Sequence, residues 1–150
     1  MTLLISINRT SLSKAVLVLS GSVDGYSLGI TDYTEPAVQP RVTYAPDSAY
    51  AHGSVPLASV MQDTVVGFAV CTTDAVTESA SRALIAELRE AVGQFQFTVT
   101  VTVGAAPAET WACHTGSVTP VGSRTTVDLA NYDPEWSVVI PAQPIRTVAP

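Results

Sequence analysis

His52 and His114 are the residues of this sequence best suited to acid–base work, because an imidazole titrates near neutrality. His114 follows Cys113, and a thiolate activated by an imidazole is the nucleophile that such a chain could build. A Cys113/His52 pairing would require the fold to bring distant residues together. Neither histidine stands in a recognisable motif: G-x-S-x-G, H-E-x-x-H, a P-loop and G-x-G-x-x-G are all missing. They read better as ordinary loop and strand-end histidines. Cys71 and Cys113 have no C-x-x-C or Cys/His ligand spacing, so buried, inert thiols are expected. Asp24, Asp32, Asp47, Asp63 and Asp74 mostly adjoin turn residues, where a carboxylate caps backbone amides. Asp-x-Asp calcium spacing does not occur. The expectation is no enzyme, with no catalytic, cofactor-binding or metal-ligating residue.

Binding chemistry has one further source. Trp111, Trp136, Tyr26, Tyr33, Tyr44, Tyr50 and Tyr132 could form a sugar-stacking platform, although both tryptophans lie in strand patterns that more often fill a core. The net charge of −6 and the scattered basic residues Arg9, Lys14, Arg41, Arg82, Arg89, Arg124 and Arg146 provide no phosphate-gripping patch. Sequence-specific nucleic-acid binding is therefore not expected. The apolar run Ala15–Leu19 is too short to span a bilayer. The opening Met1–Ile7 lacks the basic and apolar regions of a secretory signal, which leads to the expectation of cytoplasmic synthesis without membrane insertion.

The elements that would position these residues are mainly strands. Valine (21), threonine (18) and serine (14) dominate, and they suit a pleated, half-buried surface. Charged residues are only 13%, which raises the possibility of a surface covered by neighbouring subunits. A Ser/Thr-rich monomeric domain fits composition equally well. Strands are expected at Ala15–Ser20, Tyr26–Ile30, Arg41–Tyr44, Val55–Met61 and Val65–Thr72. Phe95, Phe97, Val99, Val101 and Val103 alternate with Gln96, Thr98, Thr100 and Thr102, the clearest strand pattern in the chain. Glu109–Cys113 is expected to pair back as a hairpin, followed by strands at Thr125–Leu129 and Trp136–Pro141. One helix is expected after the capping residue Thr77, with Ala80, Leu84, Leu88, Ala91 and Val92 on one face and Gly93 at its end. Leu84 and Leu88 are its expected core anchors. Many strands around a single helix predict an α+β, mainly β fold: a β-sandwich or split barrel with one helix packed on it.

The stretch from Arg41 to Pro56 differs from the rest. It carries Pro46 and Pro56, a connector from Ala45 to Ser54, and few large apolar residues for a core. Tyr44, Tyr50 and His52 on such an arm are the candidate subunit-interface residues, since aromatic side chains are enriched where proteins meet.

The order of landmarks resembles the N-terminal, ring-forming domain of siphophage distal tail proteins, the minor tail proteins of actinobacteriophages. Those landmarks are Arg41-Val42-Thr43-Tyr44-Ala45-Pro46, His52-Gly53, Val65–Val70, Ala83–Val92, Phe95-Gln96-Phe97, Thr110-Trp111 and Val138-Val139-Ile140-Pro141. The resemblance covers Asp24 to Pro144. It implies one tail-ring domain over 1–150, with 1–10 and 145–150 peripheral, and a virion location at the distal end of a long tail. The implied partners are further copies of the chain in a hexameric ring, the tail tube protein, and the tail hub and tape-measure proteins. The alternatives are a small β-rich glycan- or receptor-binding module of the tail tip, and a hydrolase with an unfamiliar motif.

Overall fold

The structure, a computed structural model, describes residues 3–21, 28–37, 40–45, 55–61, 63–71, 78–121 and 135–148. In chain order the elements are β1 (Leu3–Ile7), β2 (Leu17–Ser20), β3 (Gly29–Thr34), β4 (Pro40–Ala45), β5 (Val55–Met61), β6 (Thr64–Cys71), α1 (Glu78–Val92), β7 (Gln96–Val103), β8 (Glu109–His114), β9 (Ser117–Pro120) and β10 (Trp136–Val148). A 3-10 turn, Thr10–Leu12, separates β1 from β2. Strands run in the order β6-β3-β2-β1-β7-β8-β10, and β10 returns to pair with β6. The wall is therefore a closed seven-stranded barrel, not two separate sheets. β9 pairs with the first part of β10, and its Pro120 sits on that edge strand, where a missing amide is tolerated. β4 and β5 form a two-stranded sheet of their own.

Alternation sets the wall. Phe97, Val99 and Val101 point inward and are buried, while Thr98, Thr100 and Thr102 face out. Phe95 departs from the expectation, at 80% exposed. β7 begins one residue later, so the pleat never carries Phe95 inward. β8 returns in register, Val99 opposite Trp111 and Val101 opposite Glu109, as the hairpin pattern predicts.

Both chain ends depart from the expected peripheral placement. β1 lies between β2 and β7, and its Ile5 and Ile7 are fully buried. Five residues are too few for the alternation to stand out in sequence. β10 continues past Pro141 and Pro144 to Val148, beyond the expected fraying point at Ile145. A register shift between Ala142 and Arg146 re-aims this long strand, which pairs with β6 before the shift and with β8 up to Val148.

α1 buries Ser81, Ile85, Leu88, Ala91 and Val92. Leu88 is the anchor expected, whereas Leu84 is only partly buried at the margin of the core and Ile85 takes the deeper place. Gly93 ends the helix with its amide donating to Arg89 O at 2.8 Å; Thr77 lies outside the described residues. Polar groups clasp the helix to the turn after β1. Arg9, itself buried, pairs with Glu87 at 2.6 Å, and Gln94 Nε2 donates to Asn8 O at 2.8 Å. Gly116 lets β8 pass into β9 beneath the helix, since a Cβ there would lie 2.5 Å from Val139 O and 2.8 Å from Val92 Cγ1.

Candidate functional site

β1, β7 and β8 have one set of ends under α1, where Gln94 binds Asn8 O and Thr115 Oγ1 donates to Gln94 O at 2.9 Å. Their opposite ends open into a mouth lined by Tyr33, Glu35, Val101, Val103, Pro107 and Glu109, enclosing about 440 Å³. The register explains the lining. Tyr33 lies opposite the buried Phe68, and Glu109 opposite the buried Val101, so both take inward-facing positions at the end of the wall. Burial, then the carboxylates of Glu35 and Glu109, push the Tyr33 phenol up to about 12.

A second groove of about 380 Å³ adjoins the first, lined by Thr34, Glu35, Asp63, Thr64, Val65 and Gly67. Glu35 lines both. The β4–β5 ribbon leaves the barrel at this groove, because β4 follows β3 through Glu35–Ala37 and β5 leads to β6 through Asp63. Thr64 Oγ1 donates to Ala37 O at 2.7 Å and ties the two legs of the ribbon at its root. β4 and β5 pair across Pro40↔Met61 to Ala45↔Val55, with a shift between Thr43 and Tyr44, and their described pairing is only with each other.

Among the described residues, which leave out His52, the chemistry-bearing side chains are not drawn into a reactive group. Cys113 is buried in the barrel wall, and desolvation pushes its thiol up to about 12, against the thiolate that a nucleophile requires. His114 follows it on the opposite face of β8, across from Gln96. Neither Cys71 nor Cys113 forms a disulfide. Among the described residues, no group of three or more His, Cys, Asp or Glu side chains could hold a metal ion, and no helix is long and apolar enough to cross a membrane. Trp111 is fully buried, which removes it from any sugar platform. Trp136 is half-buried, with the Arg89 guanidinium 4.9 Å from its ring centroid. Of the interface candidates, Tyr44 lies in β4, and Tyr50 and His52 lie outside the described residues. The gathering of Tyr33, Glu35, Asp63 and Glu109 has no local signature. It arises from the register of strands distant in sequence.

No family model and no curated protein sequence matches the chain. The fold does match solved structures. A chain of the phage P2 baseplate in its activated conformation with Ca aligns over 91% of this chain at a TM-score of 0.58 and 9% identity. This chain spans only 43% of that protein's length. A chain of the anti-feeding prophage baseplate, solved with six-fold symmetry applied, aligns over 98% of this chain and 91% of its own length, with a TM-score of 0.53 and 8% identity. Its structural neighbours thus include chains of phage and phage-like baseplates.

Proposed function

We propose that this protein is an architectural subunit of a long phage tail, assembling as a hexameric ring at the distal end between the tail tube and the hub. The observation that carries the reading is the β4–β5 ribbon. An isolated two-stranded ribbon is at best marginally stable in water, so an arm of this kind gains most from a surface on another subunit. The shared fold with two baseplate chains supports the same reading. So does the low charge content, which suits surfaces covered on assembly. On this reading the chain has no catalytic role. It is made in the host cytoplasm and resides in the virion, contacting its own copies, the tube, the hub and the tape-measure protein. The net charge of −6 per copy suits a ring whose channel must let DNA slide past without gripping phosphates.

Electron microscopy of phage particles labelled by an antibody to this protein tests the reading. Label at the tail's distal end, with particles lacking the protein ending in an incomplete tip, is the expected result. Label on the capsid, or normal tails without the protein, would overturn it.

A further inference from the structure

We propose that α1 is a strap closing the barrel where β2 and β3 part. An ion pair grips the strap on its β2 edge, and losing that grip opens this side of the wall while the rest stays folded. The device belongs to a single copy and needs no assembly. Among the described residues, β2 and β3 share one residue pair, Ser20 with Gly29. β2 ends at that pair and β3 begins there, so Leu17, Val18 and Leu19 have no described strand on their β3 side. Leu19 and Val70 are nevertheless fully buried, in one core with Ile85 and Leu88 of the helix.

The two edges of the helix hold different parts of the barrel. At 3.6 residues per turn, Glu87 flanks the buried stripe Ser81, Ile85, Leu88 and Val92 on one edge, and Arg89 flanks it on the other. Glu90 lies round the helix beyond Glu87. Glu87 pairs with Arg9 and Glu90 with Lys14, each at 2.6 Å, and both bases sit in the turn that leads into β2. On the far edge, the Arg89 guanidinium is 4.9 Å from the Trp136 ring centroid. Trp136 pairs with Val70, and Val70 with Ile30 at the start of β3. The helix therefore reaches from the approach to β2 across to the β3–β6 edge. The grips differ in strength. Lys14 and Glu90 are both about half exposed, and such a pair contributes little. The Arg9 side chain is only 9% exposed, so removing Glu87 strands a buried charge, a far larger penalty. Arg9 Nε also donates to Ala15 O, which ties the turn to the same guanidinium.

Hydrogen exchange on the full chain tests this, because local opening and global unfolding leave different amides protected. Glu87→Gln should speed exchange about tenfold or more at residues 17–20 and 28–34, and leave residues 97–101 at the wild-type rate. Lys14→Glu should act in the same direction more weakly, by setting like charges together, and adding Glu90→Lys should restore wild-type exchange. If Glu87→Gln folds poorly, this charge exchange decides on its own. Equal acceleration in all three stretches would mean that the ion pair supports the whole fold, and would overturn the strap. Unchanged exchange at 17–20 and 28–34 would overturn it as well.

Discussion

The walls formed by β7–β8 and by β6–β10 are alike inside the barrel and unlike outside it. Both bury an alternating column, Phe97, Val99 and Trp111 in one, Val66, Phe68 and Ile140 in the other. Outside, β7–β8 presents Thr98, Thr100, Thr102 and Thr110, with the Thr100 and Thr110 hydroxyls 3.1 Å apart. β6–β10 presents Val65, Gly67, Ala69, Val139 and Pro141. The inward column sets the fold, and it places no demand on the outward one. A threonine ladder is a strand surface at ease with water. The apolar wall, beside the root of the arm, is the surface that gains from being covered. Inward positions therefore report on folding, and outward ones on the proposed assembly.

The largest effects should come from the shared inward column. Trp111→Ala should cost about 3–5 kcal/mol and Ile140→Ala about 2–5 kcal/mol, read from urea midpoints. A cheap Trp111→Ala would mean that the walls are not packed alike. Under the helix, Leu88→Ala should likewise cost about 2–5 kcal/mol, whereas Arg89→Ala should cost about 0.5–1 kcal/mol through its contact with Trp136. Equal midpoint shifts for these two would refute the helix register. Outward changes should be smaller still. Val139→Thr and Thr100→Val should each move stability by less than about 1 kcal/mol. Only Val139→Thr should reduce oligomeric mass, and a matching loss from Thr100→Val would erase the contrast between the walls.

A further effect is one of pH. Tyr33 and Cys113 are raised from ordinary values of 10 and 9 to about 12, so their neutral forms are favoured in the folded protein. That stabilisation is complete below the unfolded values and disappears as pH climbs from 9 toward about 12. Tyr33→Phe should flatten the alkaline fall in the urea midpoint. An unchanged slope would show that neither burial nor the carboxylates of Glu35 and Glu109 raises the Tyr33 phenol.

Much of the fold is legible locally. The β7–β8 hairpin follows from nine alternating residues, and α1 from apolar spacings of three and four. What stays hidden is long-range. The return of β10 to β6 closes the barrel, yet two prolines and a register shift break the pattern that would announce a strand of 13 residues. Ile85 is passed over because Leu84 beside it fits the same spacing, and only docking decides which goes deeper. Glu35, Asp63 and Glu109 are ordinary acids in the sequence, and they become neighbours through pairings between strands far apart in the chain. The arm's strands are legible, but their separation from the barrel is not, because no local pattern records which partner a strand refuses.

The barrel is not equally strong around its circumference. Among the described residues, β2 and β3 meet through a single parallel pair, Ser20 with Gly29, while every other join in the closed ring spans several residues. A cylinder closed by one rung is in effect a rolled sheet with a latch. Breathing should begin there, because one described rung holds that join, whereas parting β7 from β8 means breaking six paired positions across the core. Backbone amides along the seam should exchange with solvent by local opening, those of β7 only by global unfolding. A subunit seated against neighbours could then flex along this line, and the wall could change its curvature without losing its interior.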